Sequence, residues 1–150
     1  MKILVTGGAG FIGSHTVVEL IEHGYDPIIV DDLRNSEGFI INHIEKICGE
    51  KIPHYNIDFG DVENLSSVFK KEKPNGVIHF AADKSVNESV NNPIKYYKNN
   101  ISNLISLLKV ISNYSIEAFV FSSSCTVYGS PEKIPVNENA KIKSPFSPYG

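Results

Sequence analysis

The stretch Met1-Lys-Ile-Leu-Val-Thr-Gly-Gly-Ala-Gly-Phe-Ile-Gly13 decides how the rest of the chain is read. Ile3, Leu4 and Val5 form a short apolar run, suited to a buried strand. Thr6 to Gly13 interrupt it with four glycines. Beyond Gly13, the spacing of Val17, Val18, Leu20 and Ile21 predicts a helix with one buried face, from about Phe11 to His23. The order is strand, glycine turn, helix. Such a turn aims the unpaired N–H groups of a helix start, and the positive end of its dipole, at a bound anion such as a pyrophosphate. Gly7, Gly10 and Gly13 have the spacing G-x-x-G-x-x-G. They suit a tight turn, a close approach of backbone to phosphate and close packing of helix on strand.

A second apolar run, Pro27 to Val30, ends in Asp31, 18 residues after Gly13. A dinucleotide-binding unit carries its ribose-binding acid roughly 20 residues beyond the glycines. Glycines alone also mark ordinary turns. Here the flanking strand, helix and acid supply the context that the motif needs.

Composition narrows the function classes. The 150 residues suit one domain with a sizeable core. The net charge is −3, with no basic stripe of the kind that binds nucleic acid. No apolar run approaches the roughly 20 residues that span a bilayer. Cys48 and Cys125 stand far apart, and neither they nor the five histidines have metal-ligand spacing. These features predict a cytoplasmic protein without disulfides, signal peptide or membrane contact.

Further elements follow in order. Phe39 to Ile47 reads as a short helix. Lys51 to Phe59 reads as strand three, with Asp58 at its end. Asp61 can cap the next helix through Leu65, Val68 and Phe69. Val77 to Ala82 is strand four, apolar enough to be buried on both faces. Asp83 to Asn92 reads as a polar loop. Asn92-Pro93 opens the longest helix, whose expected buried stripe is Ile94, Tyr97, Ile101, Leu104, Ile105, Leu108 and Ile111. Ala118 to Phe121 is strand five, and Cys125 to Gly150 reads as irregular, with four of the eight prolines. Alternating strands and helices predict a Rossmann-type, doubly wound parallel α/β sheet of order 3-2-1-4-5. Ligands bind beyond the carboxyl ends of such strands, between strands one and four. The glycine turn, Asp31, Ala81–Lys84 and Ser122–Ser124 all fall at those ends.

Several side chains there could carry chemistry. Asp31, backed by Asp32, would hold ribose hydroxyls and repel the additional phosphate of NADP, which favours NAD; Arg34 argues mildly the other way. Lys84 could reach a ribose or a phosphate, and equally could be a solvated loop lysine. Asn99 is offset from the apolar stripe, so spacing alone leaves it between site and surface. Asp58 could accept from an adenine amino group or simply end a strand. Ser124 and Tyr149 could form a proton-transfer pair. A phenol titrates near ~10, so it needs a neighbouring cation to act as a base at neutral pH.

Thr6-Gly-Gly-Ala-Gly-Phe-Ile-Gly-Ser-His15 resembles the cofactor fingerprint of the extended short-chain dehydrogenase/reductases. Asp31-Asp-Leu-Arg-Asn-Ser36, His79-Phe-Ala-Ala-Asp-Lys-Ser-Val-Asn-Glu-Ser89, Tyr96-Tyr-Lys-Asn-Asn100 and Phe121-Ser-Ser-Ser-Cys-Thr-Val-Tyr-Gly129 are similar to the UDP-glucose 4-epimerase family. Tyr149-Gly150 looks like the start of a Tyr-x-x-x-Lys motif. The resemblance covers essentially the whole chain. It implies NAD as cofactor, UDP-glucose and UDP-galactose as substrates, and a homodimer. It implies that Phe11 and Ile12 line the pyrophosphate turn, and that Asp31, Asn35, Ser36, Asp58 and Phe59 contact adenosine. Phe80, Ala81, Ala82 and Lys84 would lie along the cofactor, with Asn99 completing the pocket. Ser124 would bond the reacting sugar hydroxyl and Tyr149 would be the acid/base.

Related dehydratases place an Asp-Glu pair where this chain has Cys125-Thr126, which argues against dehydration. Decarboxylation or reduction of a nucleotide sugar stays open, as does a dinucleotide-binding module without catalysis. Asp83 and Asn87 differ from the commonest residues of their segment. The expectation is that residues 1–150 are an incomplete NAD-binding domain. The later strands, the lysine after Tyr149 and a substrate domain would then lie beyond Gly150.

Overall fold

The computed structural model describes all residues, 1–150. Five parallel strands form one sheet: β1 (Lys2–Thr6), β2 (Asp26–Val30), β3 (His54–Tyr55), β4 (Gly76–His79) and β5 (Ala118–Phe121). Their order is β3-β2-β1-β4-β5, as the alternation predicts. The helices are α1 (Phe11–Glu22), α2 (Phe39–Cys48), α3 (Val62–Glu72), α4 (Val86–Asn91), α5 (Pro93–Tyr96) and α6 (Asn103–Ile111). A π-helical turn, Tyr97–Ser102, joins α5 to α6 in one long helix. A 3₁₀ turn, Cys125–Tyr128, interrupts the otherwise irregular last segment.

Strand alternation divides the core into two layers. Ile3, Val5 and Ile29 face one side and meet Val17 of α1 and Ile41 and Ile44 of α2. Leu4, Ile28, Val30 and Val77 face the other and meet Leu65, Val68 and Phe69 of α3 and Leu107 and Val110 of α6. Burial on both faces explains why β1 and β2 read as unbroken apolar runs. Asp61 caps α3 as expected, its Oδ1 accepting from the Asn64 N–H at 3.1 Å.

The structure corrects four boundaries. Strand three shrinks to His54–Tyr55, because Pro53 has no N–H and the Ile52 N–H donates to Glu45 Oε1 at 3.1 Å instead of to the sheet. Beyond Tyr55, Asp58 Oδ1 accepts from the Gly60 N–H at 2.8 Å and turns the chain, so Asp58 lies past the strand. Strand four stops at His79, because β1 ends at Thr6 and the glycine turn occupies the space beyond: a Cβ on Gly7 would lie 2.7 Å from the Ala81 nitrogen.

The expected loop at 83–92 contains α4. Ser85 caps it by accepting from the Glu88 N–H at 3.3 Å. The sequence signal is the S-x-x-E capping pattern, Ser85 to Glu88.

The fourth correction concerns the long helix. Its core-facing residues are Tyr96, Asn99, Leu107 and Val110. Of the expected stripe, only Leu104 and Ile111 pack against the core. Ile94, Tyr97, Ile101, Ile105 and Leu108 are exposed, Ile94 by 73%. The helix is apolar on two faces, and periodicity alone cannot say which one meets the sheet. At the far sheet edge all four residues of β5 are exposed.

Between the two central strands lies His79, buried, with Nδ1 2.6 Å from Thr6 Oγ1. Its ring packs edge-on against Phe59 at 4.9 Å and stacks on Phe121 at 5.8 Å. Burial pushes its pKa from 6.5 down to about 4. The unfolded chain therefore binds this proton first, so the histidine's contribution is complete above pH 6.5 and is lost as pH falls towards 4. At ~1.36 kcal/mol per pH unit, the loss amounts to about 3 kcal/mol. Urea denaturation from pH 7 to 4 should show this slope, and His79→Asn should flatten it. An equally steep slope in the variant would remove His79 as the cause.

Candidate functional site

At the carboxyl ends of β1 and β4 the chain opens into a cavity of about 320 Å³. Its floor is the glycine turn. Gly7 adopts φ +70°, a left-handed conformation that glycine tolerates. Gly13 lies so close to Gly7 that a Cβ on it would meet the Gly7 carbonyl oxygen at 2.1 Å. Gly10 is the N-cap of α1 and supplies no side-chain cap. The first helical bond runs from the Ser14 N–H to the Gly10 carbonyl at 2.9 Å. The N–H groups of Phe11, Ile12 and Gly13 precede it and have no partner within the helix. An uncapped helix start facing a cavity fits an anionic group such as a pyrophosphate.

Asp31 organises the next wall. Its Oδ2 accepts from the Ala9 N–H at 3.0 Å, and its Oδ1 from the Leu33 N–H and the Ser36 hydroxyl, each at 2.9 Å. Three of a carboxylate's roughly four acceptor positions are filled, which leaves room for one further donor. Arg34 spans the neighbouring acids. Its guanidinium pairs with Asp32, donates to Asp58 Oδ2 at 2.7 Å and reaches Asn99 Oδ1 at 3.3 Å. The bond to Asp32 is the main reason that the Arg34 pKa is raised further. Committed to two carboxylates, this arginine is a poor receptor for a ribose phosphate.

The opposite wall comes from β4 and the long helix. Phe80, Ala81, Ala82, Asp83 and Lys84 line it, with Asn99 behind. The π turn brings successive asparagines, Asn99 and Asn100, to this side. Asn100 clamps the loop: its Oδ1 accepts from the Asp83 N–H at 2.9 Å and its Nδ2 donates to the Asp83 carbonyl at 2.8 Å. Below, Tyr96 accepts from the Ser85 N–H at 3.0 Å and donates to Glu88 Oε2 at 2.8 Å. Tyr149 lines the cavity and packs edge-on against Tyr96, with ring centres 6.3 Å apart.

Of the residues expected from the sequence, Gly7, Gly10, Phe11, Ile12, Gly13, Asp31, Asp32, Asn35, Ser36, Phe59, Phe80, Ala81, Ala82, Lys84, Asn99 and Tyr149 meet on this one surface. Asp58 and Ser124 stand off it. Asp58 anchors Arg34 and accepts from Asn103 Nδ2 at 3.1 Å. Ser124 caps the 3₁₀ turn, its Oγ accepting from the Thr126 hydroxyl at 3.0 Å, while Ser122 and Ser123 reach the wall. Asp83 and Asn100 were no part of the expectation. Only their place between Lys84 and the long helix reveals them, and no spacing rule does.

The sheet order and the cavity at its switch point define a Rossmann-type α/β chain. Residues 4–150 match the model of the GDP-mannose 4,6 dehydratase family, and the chain belongs to that family. It is 46% identical over 150 residues to the UDP-glucose 4-epimerase of Yersinia enterocolitica, spanning all of this chain and 45% of that protein. It is 46% identical to that of Dictyostelium discoideum, over 99% of this chain and 43% of the relative. The crystal structure of UDP-glucose 4-epimerase from Bifidobacterium longum in complex with NAD+ and UDP superposes with a TM-score of 0.95 at 42% identity, over 99% of this chain and 44% of that one. The chain thus spans less than half the length of these relatives.

The helix start lies hard against the glycine turn at Gly13, so Gly13→Ala should be far more damaging than Gly10→Ala. A Cβ at position 10 would meet only the Gly7 carbonyl, at 3.2 Å. Gly13→Ala should destabilise by about 3 kcal/mol or more, the upper range of overpacking, and Gly10→Ala by less than half of that. Urea midpoints of the two variants measure the difference, and equal midpoints would contradict the steric account.

Proposed function

We propose that this chain is the nucleotide-binding part of an NAD-dependent epimerase that inverts C4 of a UDP-hexose, interconverting UDP-glucose and UDP-galactose. The observation that carries the reading is the meeting of Tyr149 and Lys84 with the glycine turn and Asp31 around one cavity. The likeness to UDP-glucose 4-epimerases supports it, among them one crystallised with NAD+ and UDP.

In this reading the uncapped start of α1 holds the pyrophosphate, and the open acceptor position of Asp31 takes an adenosine ribose hydroxyl. Lys84 holds the second ribose. The bound dinucleotide supplies the acceptor that takes hydride from the sugar and gives it back. Tyr149 takes the proton of the sugar 4-hydroxyl and later returns it. Ser124 stands just beyond the wall that Ser122 and Ser123 form and, in this reading, bonds the sugar hydroxyl from beside the cavity. Proximity held by these groups can contribute roughly 7–11 kcal/mol. The exposed stripe of Ile94, Tyr97, Ile101, Ile105 and Leu108 suits pairing with a second copy, consistent with a homodimer.

The full-length protein should convert UDP-galactose to UDP-glucose with no net redox change and should carry NAD that denaturation releases. Carbon dioxide from UDP-glucuronate without epimerisation would assign a decarboxylase instead. Residues 1–150 expressed alone should lack turnover, because Tyr149 is the penultimate residue and a chain terminus holds its side chain poorly. Comparable turnover by the short chain would overturn this division of labour.

Cofactor choice gives a separate check. Asp31→Ala should weaken NAD binding and narrow the preference over NADP. Wild-type protein that binds both equally would contradict the role given to Asp31.

A further inference from the structure

Arg34 lines the cavity, and its side chain is 40% exposed. Every nitrogen of its guanidinium is nevertheless engaged. Nε donates to Asp32 Oδ2 at 2.5 Å, and Nη2 pairs with the same oxygen and donates to Asp58 Oδ2 at 2.7 Å. Nη1 reaches Asn99 Oδ1 at 3.3 Å. The N–H groups of a guanidinium all lie in its plane. Partners on three segments of the chain therefore occupy the rim of this group and hold the plane in place. What stays accessible is its face.

The position of that face selects the part of the ligand it meets. In the sheet order β3-β2-β1-β4-β5 the glycine turn follows the central strand. A pyrophosphate held there sends one nucleoside over β2 and β3 and the other over β4 and β5. Tyr149 and Lys84 line the cavity on the β4 side, with Ser122 and Ser123. That half takes the reacting nicotinamide, so the other half takes the adenosine. Arg34 follows β2 and bonds Asp58, which follows β3. Ile57 and Phe59, on either side of Asp58 in the chain, line the same cavity. Asp58 itself stands off the cavity, bonded to Gly60, Asn103 and Arg34. A flat ring entering here meets apolar side chains and the face of a cation.

We propose that Arg34 is a cofactor-binding residue whose guanidinium face carries the adenine ring of the dinucleotide. This rests on the NAD-binding reading above and adds the side chain that holds the base. Guanidinium planes stack on aromatic faces, and a cation over a ring is attracted by the negative face of that ring. A free loop arginine loses rotamer freedom when it is pinned against a ligand. Here Asp32 and Asp58 have ordered the side chain before the ligand arrives. The same two acids offset its charge, so a neutral base suits it better than a further phosphate.

Arg34→Lys keeps a cation between Asp32 and Asp58 and removes the plane; Arg34→Ala removes both. In full-length protein stripped of nucleotide, calorimetric titration with NAD should give a Kd roughly threefold to thirtyfold weaker in both variants, the range of a cation held against a ring face. Nicotinamide cytosine dinucleotide, with a smaller base on the same riboses and pyrophosphate, is the second probe. Its affinity should fall by a smaller factor, so that the wild-type preference for the purine narrows in the variants. An equal loss for both dinucleotides would overturn the proposal, because a structural role of the ion pairs weakens both alike. So would wild-type affinity for NAD in Arg34→Lys, which would leave charge as the whole contribution. A larger loss for NADP than for NAD would assign Arg34 to the ribose phosphate and overturn the stacking. Wild-type protein that binds no NAD would instead sink the underlying reading, and that control separates the two failures.

Discussion

Everything at the site depends on one close approach, that of Gly13 to the Gly7 carbonyl. A Cβ at Gly13 would lie 2.1 Å from that oxygen, well inside any tolerable contact. Only without it can α1 begin directly over the end of β1. The helix then points its uncapped N–H groups into the space beyond the sheet. β4 leaves the sheet after His79 where the turn passes close by: a Cβ on Gly7 would stand 2.7 Å from the Ala81 nitrogen. From Phe80 to Lys84 the chain then lines the cavity, so floor and wall meet at the glycine turn.

The polar groups beneath the cavity follow from the sheet. Thr6 and His79 are paired in register on β1 and β4, at the last rung before the two strands part. Their side chains share a hydrogen bond at 2.6 Å in a buried setting that keeps the imidazole neutral. A charged histidine here would place a cation under the glycine turn, without a carboxylate partner. Phe59 and Phe121 close over the ring from β3 and β5 sides and join the outer strands to the centre.

Where burial and chemistry coincide, the sequence was readable. The apolar runs of β1 and β2, the glycine turn and the acid at Asp31 each follow a local rule, and the strand order follows from the alternation of strands and helices. Where a side chain replaces a backbone partner, it was not. Glu45 takes the Ile52 N–H and shortens β3, and nothing local in Lys51–Phe59 announces a partner on another element. The long helix misled for a related reason. Its most regular apolar stripe is the exposed one, while the face against the sheet carries Asn99 among Tyr96, Leu107 and Val110. Periodicity finds stripes and has no means of ranking an apolar stripe against a mixed one.

That mixed face is a consequence of the site. The carboxyl ends of the strands hold several carboxylates, Asp31, Asp32, Asp58 and Asp83, within a small region. An apolar helix laid across them would take the Asn103 amide from Asp58, the Asn99 carbonyl from Arg34 and the Asn100 amide from the Asp83 backbone. The π turn answers this by turning Asn99 and Asn100 inward, and Asn103 follows at the start of α6. Asn103 donates to Asp58, Asn100 fixes the Asp83 backbone, and Asn99 accepts from Arg34, which in turn ties Asp32 to Asp58. One helix thus serves two media. From Leu104 onward it packs against the apolar core. Before that it supplies amides to an acidic rim, and the change of helical type falls where the demand changes.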